Sequence, residues 1–234
     1  MDVGAFVPLS LSDHEGHVAA VVFVRGCNFR CPFCHNPDLV MPEREVEGPR
    51  LLVADVVERL RDRCGFLDSV VVTGGEPTLQ PDLADFLAEA RSLGLGVKLD
   101  TNGSRPDVLA SLFDRRLVDF VAMDLKAPLP RYAEFCGVRA DVGAIERSIG
   151  CIRQSAPDYE FRTTVAPGLA GEDLRTIAEW VRGAKSYVLQ AFRVPAEKSL
   201  LDPTWAERQA LSRAELNECW TQIAPLVRGG GVRA

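Results

Sequence analysis

Three cysteines, Cys27, Cys31 and Cys34, fall together in the stretch 18–37, VAAVVFVRGCNFRCPFCHNP. Their spacing is C-x3-C-x2-C. Three thiolates this close can hold three corners of a cubane [4Fe–4S] cluster, for which thiolate is the usual ligand. No fourth cysteine follows in the loop, so one iron would lack a protein thiolate and stay open to a chelating small molecule. A structural zinc site would want four tetrahedral ligands, commonly two C-x2-C pairs or a Cys/His pair. His35 is poorly placed to share an ion with Cys34, and no second knuckle follows downstream. Disulfides are disfavoured by an odd total of seven cysteines. Cys64, Cys136, Cys151 and Cys219 stand isolated with no C-x2-C pair among them, which argues against an auxiliary cluster.

The elements that must position this loop read clearly. The apolar, β-branched run Val18–Val24, closed by Arg25-Gly26, is a buried strand with the cysteines on the loop at its carboxyl end. Further strands are expected at 69–73, 97–100, 120–125, 159–165 and 187–192. Helical spacing falls between them, from Leu52 to about Cys64, then at 81–93, 106–116, 142–154 and 174–181. A last helix near Ser212–Leu226 precedes a loose tail, 228–234. Six strands alternating with helices imply right-handed parallel βα units. Eight such units close a full barrel, so the expected fold is α/β, a partial (β/α)6 barrel open on one side.

Polar residues recur after strand upon strand, where α/β sheets place their sites. The second strand gives Gly74-Gly75-Glu76-Pro77, the third Asp100 and Asn102, the fourth Asp124 and Lys126. Arg162 lies on the fifth and Gln190 on the sixth. Each has an ordinary reading beside the functional one. The tetrapeptide is also a good strand-to-helix turn, Asp and Asn are common caps, and an inward Arg162 could simply pair with Asp124. Carboxylates at 100 and 124 could equally meet a bound cation or ribose hydroxyls.

The 234 residues, 47% of them hydrophobic, suffice for one substantial core. We expect a single domain over 1–234, with its core at about 18–192 and a C-terminal helix and tail at about 212–234. A net charge of −6 argues against a broad polyphosphate-binding surface. The first residues lack a positive, then apolar, leader pattern. No apolar stretch approaches the roughly 20 residues of a membrane span. The expected setting is cytoplasmic, with neither nucleic acid nor membrane as partner, and a reducing compartment suits exposed cysteines.

The cysteine loop, with Phe33 as its aromatic, resembles the C-x3-C-x-aromatic-C signature of the radical S-adenosylmethionine (SAM) enzymes. The resemblance implies that SAM chelates the open iron and is cleaved there by one electron from the cluster. GGEP (Gly74, Gly75, Glu76, Pro77) would then receive the methionine ammonium, while Phe33 and His35 lie against adenine. Asp100, Asp124, Lys126 and Arg162 would line the SAM pocket, with Asn102 and Gln190 as further members. Together GCNFRCPFCHNPDLV, VVTGGEPTLQPDL, KLDTNG, DFVAMDLKAP and YEFRTTVAPG look like the activating enzyme of anaerobic (class III) ribonucleoside-triphosphate reductase. That implies a glycyl-radical protein as substrate and a reduced flavodoxin- or ferredoxin-type electron donor. The resemblance departs at Asp13-His14-Glu15-Gly16, where the family usually has an Asp-Tyr-Pro-Gly turn. It does not extend to substrate contacts in Arg193–Lys198. The alternatives are a radical SAM enzyme acting on another glycyl-radical enzyme or on a small molecule such as a nucleobase precursor, and a non-catalytic metal-binding scaffold.

Overall fold

Strand β2 (Ala19–Val24) shows how the chain builds its centre. Successive side chains point to opposite faces of a strand. Ala20, Val22 and Val24 join the large core beneath the helices, while Ala19 and Val21 join a smaller cluster with Val71 and Phe23 on the other face. Burial on both faces is why the run reads as continuously apolar. The computed structural model describes residues 1–41, 51–194 and 200–233.

Strands β3 (Ser69–Gly74), β4 (Gly96–Thr101), β5 (Phe120–Asp124), β6 (Asp158–Val165) and β7 (Tyr187–Ala191) follow β2 in parallel register. Helices α1 (Pro37–Val40), α2 (Val53–Arg61), α3 (Leu83–Ser92) and α4 (Pro106–Asp114) fall between the first of them. Then come α5 (Tyr132–Cys136), α6 (Val142–Ser155), α7 (Gly171–Trp180) and α8 (Arg213–Ile223). The long helices bury one face each, for example Val56 and Leu60 of α2 or Ile145, Ile149 and Ile152 of α6. The Asp141 carboxylate caps α6 at the Ala144 amide, and Ser212 and Glu215 form a reciprocal capping box on α8. The result is an α/β fold with a mostly parallel sheet, consistent with a partial barrel.

Among the described residues, two strands exceed the six expected. β1 (Val3–Ser10) runs antiparallel to β2 and forms one edge of the sheet, and β8 (Gly230–Arg233) runs parallel to β7 and forms the other. Pro8 and Gly4 hide β1 in the sequence, because proline is tolerated on an edge strand but not in a central one. The tail expected to be loose is instead ordered by its glycines. Gly230 has φ +126°, and a Cβ there would lie 1.8 Å from the Tyr187 carbonyl oxygen. Only glycine lets β8 approach β7 so closely. No helix among the described residues is long and apolar enough to cross a membrane. The stretches at 42–50 and 195–199 lie outside the described residues.

Candidate active site

The cysteine loop leaves β2 and is pinned by backbone hydrogen bonds to four segments of the chain. The Gly26 amide donates to the Leu39 carbonyl (2.7 Å), and the Glu76 amide to the Gly26 carbonyl (2.8 Å). Gly75 must be glycine here, because a Cβ would stand 2.0 Å from that same Gly26 oxygen. The Arg30 amide donates to the Cys136 carbonyl (2.8 Å) at the end of α5. From the far end of the chain, the Leu201 and Asp202 amides donate to the carbonyls of Cys34 (3.2 Å) and Pro32 (2.9 Å). Phe33 is buried between Phe135 and Trp205, with ring centroids 6.2 and 5.7 Å away. The ring thus anchors the loop from beneath as well as reaching the cleft wall.

Cys27, Cys31 and Cys34 line one cleft of about 850 Å³, open to solvent, together with the carboxyl ends of β3 to β6. Burial pushes the Cys27 thiol up to about 11 and the Cys31 thiol to about 12, and raises Cys34 as well. The Lys126 ammonium opposes all three shifts. At neutral pH the thiols are protonated, so taking up a metal group must release protons.

Opposite the cysteines sits a ring of charge. Arg162 donates through Nε to Asp124 (2.9 Å) and through a terminal nitrogen to Asp100 (3.3 Å). The Lys126 ammonium donates to the second Asp124 oxygen at 3.1 Å. Burial alone would raise Asp124, but Arg162 and then Lys126 outweigh it and hold the carboxyl at about 2. Lys126 is likewise held above the usual lysine range: burial acts against its charge, and Asp124 overcomes it. Arg162 pairs with Asp124 and also lines the cleft.

Glu76 behaves differently from the other motif residues. It is fully buried, and both oxygens are engaged: one by the Thr78 amide and hydroxyl and by Thr101 Oγ1 (2.8 Å), the other by the Asn102 amide (2.7 Å). Burial raises its pKa even so. The carboxylate is a strut joining the ends of β3 and β4. Asn102 continues the brace, donating to Asn28 Oδ1 at 2.9 Å on the cysteine loop. Gly74 and Gly75 line the cleft, whereas Pro77 is buried behind it at the start of a 3-10 turn. Gln190 stands one strand away, accepting from Thr164 at 3.5 Å, and Thr164 is the cleft residue of the pair. His35 lines the cleft with its Nε2 buried and unpartnered among the described residues, and burial lowers its pKa.

The sequence reading missed Thr73 and Thr164, which also line the cleft. A usable signal existed for both: Thr73 immediately precedes the GGEP turn, and Thr164 shares a strand face with Arg162 two positions earlier. Trp205 and Leu201 carried none.

The donor set fits a cubane better than a lone ion. A zinc ion needs its ligands gathered on one point, and no such trio of His, Cys, Asp or Glu occurs among the described residues. A cubane takes each thiolate on a different iron. His35 Nε2 and Asp100 Oδ1, buried with no hydrogen-bond partner among the described residues, leave polar valences for a nucleoside beside it, with Lys98 3.8 Å from the latter.

Comparison with known proteins agrees. Residues 21–181 match the Radical SAM superfamily. A Methanocaldococcus jannaschii protein named a glycyl-radical enzyme activating enzyme is 35% identical over 198 residues, 81% of this chain and 79% of that one. The pyruvate formate-lyase-activating enzyme of Streptococcus mutans is 28% identical over 200 residues, 80% of this chain and 74% of that one. Among solved structures, Streptococcus suis SuiB bound to the precursor peptide SuiA superposes with a TM-score of 0.66 at 15% identity. That match covers 90% of this chain but 47% of SuiB, and the likeness is one of fold. The chain belongs to the radical SAM superfamily and, within it, to the glycyl-radical enzyme activating enzymes. It is an enzyme whose cofactors are SAM and a [4Fe–4S] cluster.

Proposed function

We propose that this chain, acting as one domain in the cytoplasm, installs a glycyl radical on an anaerobic ribonucleoside-triphosphate reductase. The observation that carries the reading is the convergence of three loop thiols and the Asp100–Arg162–Asp124–Lys126 ring on one open cleft. When bound, the cluster and SAM supply a carbon-centred radical able to take a hydrogen atom from a glycine.

In this reading Cys27, Cys31 and Cys34 hold the cluster. The Gly74-Gly75 backbone receives the SAM ammonium, with Glu76, Pro77 and Asn102 fixing that turn. Lys126 faces the SAM carboxylate, where a charge-assisted contact is stronger than a neutral one. Asp100 and Arg162 lie toward the ribose, and His35 with the edge of Phe33 toward adenine. Gln190 supports Thr164 at the rim. A flavodoxin- or ferredoxin-type protein supplies the electron, and neither nucleic acid nor membrane takes part. The support for the reductase as target is the run of motifs from the cysteine loop to FRTTVAPG.

The test is anaerobic reconstitution with iron, sulfide, reductant and SAM, alone and with a class III reductase. We expect 5′-deoxyadenosine and a glycyl EPR doublet on the partner. A doublet only on a pyruvate formate-lyase type partner, or turnover of a small molecule alone, would reassign the target. No 5′-deoxyadenosine at all would overturn the reading.

A further inference from the structure

Beneath the cleft, the inside of the sheet carries charge where barrel interiors are usually filled with branched apolar side chains. The parallel register sets Asp124 beside Arg162, and Ala122 beside Glu160 one step lower. Glu160 and Arg162 therefore share the inward face of β6, with Glu160 the deeper of the two. Arg162 faces three carboxylates: Asp124 and Asp100 at hydrogen-bond distance, and Glu160 at 3.9 Å. The first two lie at the cleft, and the third draws the guanidinium away from it.

What offsets that pull comes from the last strand. Arg233 of β8 donates to both Glu160 oxygens, at 3.1 and 3.1 Å, in the parallel fork that suits guanidinium and carboxylate. The Glu160 side chain is only 7% exposed, so it needs a partner there. Arg233 reaches it because β8 lies tight against β7, the approach that Gly230 makes possible. The other cations that could answer Glu160 are Arg162 itself and Lys98, and Lys98 is tied to the Asp13 carbonyl and faces Asp100.

We propose that Arg233 is a positioning residue: by holding Glu160 in a fork it leaves Arg162 committed to Asp100 and Asp124 at the floor of the cleft. Without Arg233, the buried Glu160 carboxylate takes Arg162 as its nearest partner. The guanidinium then turns down, and Asp100 loses the hydrogen bond from Arg162 while keeping that from Thr73. The strand at the end of the chain thus sets the charge presented at the opposite end of the barrel. Glu15, 3.9 Å from Arg233 and almost fully exposed, adds little, because solvent screens it. The proposal rests on reading the cleft as the SAM pocket only for its binding consequence; the side-chain rearrangement stands without it.

The experiment uses the full chain with Arg233→Met, Arg233→Lys, Glu160→Gln and the Arg233→Met/Glu160→Gln double variant. In the cluster-free protein, the Arg162 Nε–H resonance is followed by ¹⁵N NMR, assigned by its loss in Arg162→Lys. We expect Arg233→Met to shift it, and Glu160→Gln on that background to return it toward the wild-type position, because no charge at position 160 then remains to draw Arg162 away from Asp100 and Asp124. Arg233→Lys keeps the charge but not the fork and should shift it less. In reconstituted protein, SAM affinity by equilibrium dialysis should fall about fivefold in Arg233→Met and recover in the double variant.

An unmoved Arg162 resonance in folded Arg233→Met overturns the proposal. So does a double variant as impaired as the single one, which would make Arg233 only a strand-end staple. If Arg233→Met does not fold, Arg233→Lys and Glu160→Gln carry the comparison by the same resonance. Failure of the wild-type protein to bind SAM would count against the site reading alone, since the resonance still decides whether Arg233 positions Arg162.

Discussion

The two ends of the barrel hold similar chemistry and use it in opposite ways. At the carboxyl ends of the strands, polar groups are left with something to do. His35 Nε2 and Asp100 Oδ1 are buried without hydrogen-bond partners among the described residues, and the three thiols face the same space. At the amino ends, the side chains are spoken for. His14 Nδ1 meets Ser69 Oγ at 2.9 Å, Lys98 donates to the Asp13 carbonyl, and Glu160 is held by Arg233. A buried polar group costs free energy unless it is partnered. An end that leaves such groups open is therefore built for a ligand, and an end that satisfies them is built to close the barrel. Substitutions at the mouth should remove chemistry more than stability, and those away from it should do the reverse.

The sharpest test of that contrast is Cys31→Ala. We expect reconstituted protein to lose the visible absorbance of the cluster and all detectable 5′-deoxyadenosine formation, while thermal unfolding of the cluster-free protein changes little. A variant that still assembles an undiminished cluster would break the reading of the mouth. Trp205→Ala should blur the contrast, because Trp205 packs on Phe33 beneath the same loop. Truncating a buried Trp costs about 4 kcal/mol, which for a chain of this size lowers the melting temperature by roughly 8–16 °C. The loop should also release iron to a chelator faster. A normal chelation rate would show that the 200–205 segment stabilises the fold without holding the loop.

Glu76→Gln should cost somewhat less, about 3 kcal/mol. An amide cannot accept at both ends, so either the donors of Thr78 and Thr101 or the Asn102 amide would be left facing another N–H. If SAM affinity fell steeply with no loss of melting temperature, Glu76 would be a ligand and not a strut.

These cases also mark what the sequence could and could not reveal. The cysteine loop was legible because cluster ligands must lie near one another in space, and here they also lie near one another in the chain. Asp100, Asp124 and Lys126 were legible because each closes or follows an apolar strand, which fixes the end of the barrel it occupies, and Arg162 because it is a lone cation inside such a strand. Glu76 shares that motif logic, yet its four donors come from Thr78 of the 3-10 turn, Thr101 of β4 and Asn102 just after it, which no pattern ties to it. Gln190 and Thr164 sit side by side on neighbouring strands, and only the register decides which of them meets the cleft. β8 was hidden for a different reason. Three glycines and a short tail look mobile, and the meaning of Gly230 appears only beside the Tyr187 carbonyl it must clear.

The smallest expected effect tests the closed end, at the Asp13-His14-Glu15-Gly16 turn. His14 is buried, stacked on His17 at 4.0 Å and tilted against Phe120. Burial first, then His17 and Lys98, lower its pKa to about 4, against smaller opposing pulls from Asp119 and Asp158. The folded protein therefore resists a proton that the unfolded chain accepts below about 6.5. By linkage, the neutral ring's contribution is complete above about pH 6.5 and is lost as pH falls toward 4. Over that window wild-type stability should drop on the order of 2 kcal/mol more than that of His14→Gln. Urea unfolding of both proteins at several pH values in this range measures the difference. Parallel curves would mean that the imidazole is freely protonated in the folded state, and that this end of the barrel is more open than its hydrogen bonds suggest.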